Sequence, residues 1–91
     1  MDLVKNLLEK RNFRIYLSYP SFILSKRGSD NVSIVCSFKR GVMTVSISHG
    51  GVRNPRKAKK IIKSIFGDFY RCEQAKTPSA GVVCFNLTRL N

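Results

Sequence analysis

The chain has 91 residues, with 17 Lys and Arg against 5 Asp and Glu, a formal charge of +12, and 43% apolar residues. Length and apolar content together indicate one folded domain rather than a disordered chain. The charge excess lies far beyond what solubility requires and predicts a polyanionic partner: nucleic acid, an anionic membrane or an acidic protein surface. No apolar run approaches the roughly twenty residues that span a bilayer, and the start of the chain has no basic region followed by an apolar core, so no secretory signal is expected.

In chain order, Leu3, Val4, Leu7 and Leu8 recur at helical spacing behind Asp2, which predicts a first helix capped by Asp2 and running to about Arg11. The period then changes to two: Phe13, Ile15 and Leu17 form one face of a strand, and Arg14, Tyr16 and Ser18 the other. Pro20 interrupts, Phe22–Lys26 reads as a second short strand, and Asp30-Asn31 as a turn. A hairpin follows. Val32, Ile34, Cys36 and Phe38 share a face, Lys39-Arg40-Gly41 turns the chain, and Met43, Val45 and Ile47 return opposite Thr44, Ser46 and Ser48. Serine and threonine on that second face suit a solvated or ligand-facing surface.

After His49-Gly50-Gly51, Asn54 caps a second helix and Pro55 takes its first position. Ala58, Ile61, Ile62, Ile65 and Phe66 form its apolar stripe, and Gly67 ends it. Residues 69–74 and 82–89 make a closing hairpin. The expected architecture is a small single α+β domain over residues 1–91, with an antiparallel sheet and the order helix, strands, helix, hairpin.

No acid lies between Asp30 and Asp68, and that gap holds Lys39, Arg40, Arg53, Arg56, Lys57, Lys59, Lys60 and Lys63. A solvated helix face normally mixes Lys with Glu, because such pairs stabilise a helix by a few tenths of a kcal/mol; the second helix has no acid. Arg56 and Lys57 fall in its first turn, where the helix dipole disfavours cations by roughly 0.3–1 kcal/mol each. Position 57, where a capping box takes Glu or Gln, is Lys. A docked anion reverses each of these signs. The expected phosphate site therefore combines Arg53, Arg56 and Lys57 with the loop residues Gly50, Gly51 and Asn54. Lys59, Lys60 and Lys63 extend the basic track, and the turn residues Lys39-Arg40 and Lys26-Arg27 reach along the backbone. Tyr16, Tyr19 and Tyr70 read first as core-edge residues, with stacking on unpaired bases as the alternative. No RNP-type, KH-type or metal-finger signature is present, so backbone contact rather than sequence readout is expected.

Cys36, Cys72 and Cys84 are an odd count without a C-x-x-C pair, which points to reduced thiols in a cytoplasmic setting. They read as small core residues on apolar strands rather than as nucleophiles. His49 is the single histidine, without an evident second proton-transfer group, and the five acids are scattered. The expectation is a non-enzyme without catalytic residues, metal or cofactor. A membrane partner is not expected either, because the isoleucines of the basic helix are needed for the core.

The stretch Asp2-Leu3 through Leu7-Leu8-Glu9-Lys10 to Phe13, followed by a strand and Phe22-Ile23-Leu24-Ser25-Lys26-Arg27, resembles the start of the C-terminal double-wing domain of the MotA family, middle-promoter activators of T-even phages. The resemblance implies a saddle-like sheet surface that contacts nucleic acid, and a phage origin acting in a host cytoplasm. The chain departs from that family in its single domain and its more basic central helix, and both point away from promoter-specific activation. The expected function is nucleic-acid binding, RNA ahead of DNA. Two alternatives stand beside it: an antitoxin-like phage inhibitor that neutralises an acidic host defence protein or toxin ribonuclease, directly or through RNA, and a DNA-binding transcription regulator.

Overall fold

The computed structural model describes residues 2–39, 41–49, 55–75 and 82–90. Its elements are α1 (Asp2–Lys10), β1 (Arg14–Tyr19), β2 (Phe22–Arg27), β3 (Val32–Lys39), β4 (Val42–His49), α2 (Pro55–Phe66), β5 (Tyr70–Ala75) and β6 (Val83–Arg89). The six strands form one antiparallel sheet in the order β1-β2-β3-β4-β6-β5. The expected α+β class and element order are both observed. β6 pairs with β4, so the closing hairpin docks through its second strand and β5 becomes an edge.

Both helices lie on one face of the sheet. Val4 and Leu8 of α1 and Ala58, Ile62, Ile65 and Phe66 of α2 share a core with Ile23, Val32, Ile34, Cys36, Val45, Ile47, Phe85 and Leu87. Among the described residues no helix covers the opposite face, where Leu24, Val35 and Ser46 line up in register, with Lys26, Ser33 and Ser48 in the next row. Ser25 is the exception to the alternation. It is fully buried on the helix side, and its hydroxyl donates to the Ile34 carbonyl at 3.1 Å, which removes the penalty of an unsatisfied polar group.

The ends of α1 follow from local chemistry. Asn12 takes a left-handed conformation (φ 68°), and the Phe13 and Asn12 amides donate to the Leu8 and Glu9 carbonyls at 3.0 Å each. This is a Schellman termination, with Phe13 and Leu8 as its hydrophobic contact. Gly41 turns the β3–β4 hairpin at φ 78°, a conformation that costs glycine little. Gly67 is required for space: an added Cβ would stand 2.5 Å from the Lys63 carbonyl oxygen. Gly67→Ala is therefore expected to destabilise the fold by about 1–3 kcal/mol, read as a lower urea midpoint.

β1 departs from simple alternation. Its register shifts between Ile15 and Leu17, so Ile15 packs against the core while Leu17 pairs with Leu24 on the open face. The expectation that Phe13, Ile15 and Leu17 share one face fails at Leu17 because a β-bulge inserts an extra residue. Leu17 is accordingly exposed, as are Tyr16 and Tyr19.

Arg27 closes β2 on the helix side. Its Nε and Nη2 donate to the two Asp30 carboxylate oxygens at 2.9 and 2.8 Å, its Nη1 donates to the Arg11 carbonyl at 2.9 Å, and its guanidinium lies 4.5 Å from the Phe13 ring centroid. The bond from Arg27 holds the Asp30 carboxyl below its ordinary value against the opposing effect of burial, with its charge and that of Lys57 adding to the effect. A carboxylate depressed in the native state stabilises the fold above its unfolded pKa, and that contribution is lost as pH falls through the folded value. Asp30→Asn is expected to lower stability in urea titrations at neutral pH, with the difference from the wild type vanishing well below pH ~3.9.

Candidate nucleic-acid interface

α2 starts just beyond the end of β4 and returns alongside it. Phe66, its last residue, meets Tyr70 edge-on at a centroid distance of 6.0 Å, and Tyr70 pairs with Arg89 near the β3–β4 turn. The apolar stripe Ala58, Ile62, Ile65, Phe66 is buried, and Ile61 is half-buried beside it. The remaining surface is cationic: Arg56, Lys57, Lys59, Lys60 and Lys63 are all exposed, and the helix has no acid. Lys63 lines a depression with Tyr70, Arg71 and Cys72 of β5. On the other flank Arg56, Lys57 and Lys60, with Ile61 and Ser64, line a shallow depression of about 600 Å³. Ser64 donates to the Ile61 carbonyl at 2.7 Å.

The expected site is brought together only in part. Arg56, Lys57, Lys59, Lys60 and Lys63 share the outer surface of α2. Arg53, Asn54, Gly50 and Gly51, which were to complete the phosphate loop, lie outside the described residues, as does Arg40. Lys39 is exposed beside the β3–β4 turn, while α2 begins beyond the far end of β4. The other end of α2 returns toward that turn: Tyr70 lines one cavity with Lys39 and another with Lys63. Lys26 lies on the uncovered sheet face, away from α2. Arg27, expected to reach for phosphate, is held in the contacts with Asp30, Arg11 and Phe13, because its strand position turns it toward the helix layer.

Two arginines outside that set gather near other cations. Arg14 stands opposite Lys26 in register on the open face. Arg89 lies 5.2 and 5.5 Å from the Phe69 and Tyr70 ring centroids, and it shares a cavity of about 310 Å³ with Lys39, Phe38 and Met43. For Arg14 the signal was present in the alternation of β1; for Arg89 no signal preceded knowledge of the β5–β6 register.

Cys36 and Cys72 are poorly suited to nucleophilic chemistry. Burial pushes Cys36 up to about 12, and it raises Cys72 against the pull of Lys63 and Lys59. Cys84 is buried as well, in register with Ser46 on the sheet face opposite the helices, with its sulfur 3.6 Å from the Ser46 hydroxyl. His49 forms the last residue of β4 instead of a loop. Among the described residues no group of three His, Cys, Asp or Glu is placed to hold a metal, and no helix is long and apolar enough to cross a membrane.

Comparison with protein-family models, curated proteins and solved structures returned no match.

Proposed function

We propose that the chain is a non-enzymatic nucleic-acid-binding module that grips the phosphate backbone with the outer face of α2, with RNA ahead of DNA. One observation carries this reading. A twelve-residue helix presents five exposed cations and no acid, although alternating charges would make it more stable. Lys59, Lys60 and Lys63 form no ion pair among the described residues, which leaves them available to an anion. RNA comes first because α1 and α2 are separated by four strands and form no helix-turn-helix pair for the major groove. The double-wing resemblance supports the same class, adding a nucleic-acid-contacting sheet and a phage setting.

Binding through about six phosphates gives a slope of log affinity against log salt near −4 for single strands and near −5 for duplex. Fluorescence anisotropy with labelled RNA and DNA across a salt series tests this. A slope near zero would remove backbone contact as the mechanism. Capture of an acidic protein that persists after complete nuclease digestion would favour the inhibitor reading instead.

A further inference from the structure

The uncovered sheet face carries a cluster that the basic helix does not explain. Tyr16 is 54% exposed, Tyr19 50% and Leu17 42%, all on β1. Tyr19 packs against Phe22 of β2 at a centroid distance of 5.0 Å, with the rings inclined at 39°. One bulge away, the Arg14 guanidinium and the Lys26 ammonium lie 5.8 and 5.5 Å from the Tyr16 ring centroid. Exposed aromatic surface on a small domain with a full core marks an interaction site.

The arrangement brings two like charges together, each within cation–π range of the Tyr16 ring. Arg14 and Lys26 are directly opposed across β1 and β2, and like charges in that position destabilise a sheet. The register places no acid on this face from β1 to β4. The nearest acid on that face is Glu73 on the far edge strand, 2.9 Å from Arg71. An incoming anion removes the Arg14–Lys26 conflict, and flat rings beside it need an apolar partner with exposed faces.

We infer that the sheet face formed by Tyr16, Tyr19 and Phe22, flanked by Arg14 and Lys26, binds single-stranded nucleic acid by stacking unpaired bases on the rings while the two cations hold the adjoining phosphates. The inference rests on the nucleic-acid reading above and adds a second surface and a strandedness to it. Duplex is the wrong ligand because its base faces are already stacked inside. A second copy of the chain is the wrong occupant because it would set Arg14 and Lys26 against their own counterparts at +12 per chain.

The test uses the whole chain, a short labelled oligouridine, its oligothymidine counterpart and a short duplex. The protein has three tyrosines and no tryptophan, so base stacking reads out directly as quenched tyrosine emission in the unmodified protein. Tyr16→Ala with Tyr19→Ala is expected to weaken single-strand binding by about 30-fold or more and to leave duplex affinity and both salt slopes unchanged. Phenylalanine at both positions keeps the rings and is expected to restore single-strand affinity. Circular dichroism and urea titration confirm that the exposed substitutions leave the fold intact. Single-strand binding that neither quenches tyrosine nor responds to the alanine pair, yet is lost when Lys59, Lys60 and Lys63 are reversed, overturns this inference and leaves the nucleic-acid reading standing. Absence of binding to any of the three probes overturns both.

Discussion

Reversing Lys59, Lys60 and Lys63 to glutamate is expected to lower affinity for both RNA and DNA by roughly 10²–10³-fold at about 0.1 M salt, with the fold retained. The magnitude follows from counterion release: each phosphate contact adds roughly 0.9 to the salt slope on duplex and 0.7 on single strands, so three lost contacts remove about two to three decades between 1 M and 0.1 M salt. The fold tolerates the change because the three side chains are exposed on the outer surface of α2. Helix stability is expected to move the other way. A carboxylate at position 60 stands three and four residues from Lys57 and Arg56, and such pairs contribute about 0.2–0.5 kcal/mol each. Anisotropy and urea titration on the same preparation check the two signs together. Weaker binding with an unchanged or higher unfolding midpoint identifies a surface kept basic for a ligand. Equal loss of both would make α2 a structural element alone.

The largest effect on stability is expected at Phe66. It is fully buried, closes α2 over the sheet and meets the Tyr70 ring edge-on. Phe66→Ala removes a large apolar side chain and leaves a cavity, at a cost of about 3–5 kcal/mol. A chain of this length has a total stability of roughly 5–14 kcal/mol, so the variant is left marginal and its urea midpoint falls steeply. Nucleic-acid affinity falls with it, because the cations of α2 are positioned only while the helix is docked. A loss below about 1 kcal/mol would mean that α2 does not pack on the sheet as described.

The fold was readable wherever periodicity and turn chemistry act locally. The alternation of Val32, Ile34 and Cys36 opposite Met43, Val45 and Ile47, the Pro55 helix start and the Gly67 stop are all encoded within a few residues, and all are seen. The β1 bulge was not readable, because the extra residue depends on pairing with β2 and no local signal marks it. That single shift moved Leu17 from the expected core face to the open one.

The candidate site was readable as composition and less so as geometry. The basic surface of α2 follows from helical spacing and is where the sequence places it. Arg27 looked equivalent to Lys26, but adjacent strand residues point to opposite faces; one meets Asp30 and the other Tyr16. The tyrosines looked alike as well. Tyr70 packs against the core as expected, whereas Tyr16 and Tyr19 stand on the face that, among the described residues, neither helix covers.

Nucleic-acid binding itself is tested most directly by purifying the chain at low salt and measuring what comes with it. Three tyrosines and no tryptophan give weak absorbance near 280 nm, so bound nucleic acid dominates the spectrum. The expected result is a raised 260 to 280 nm ratio and a nucleic-acid band that RNase removes; a band removed only by DNase would keep the binding surface and exchange the ligand. A clean protein spectrum at low salt, together with no shift of added RNA or DNA, would contradict the account.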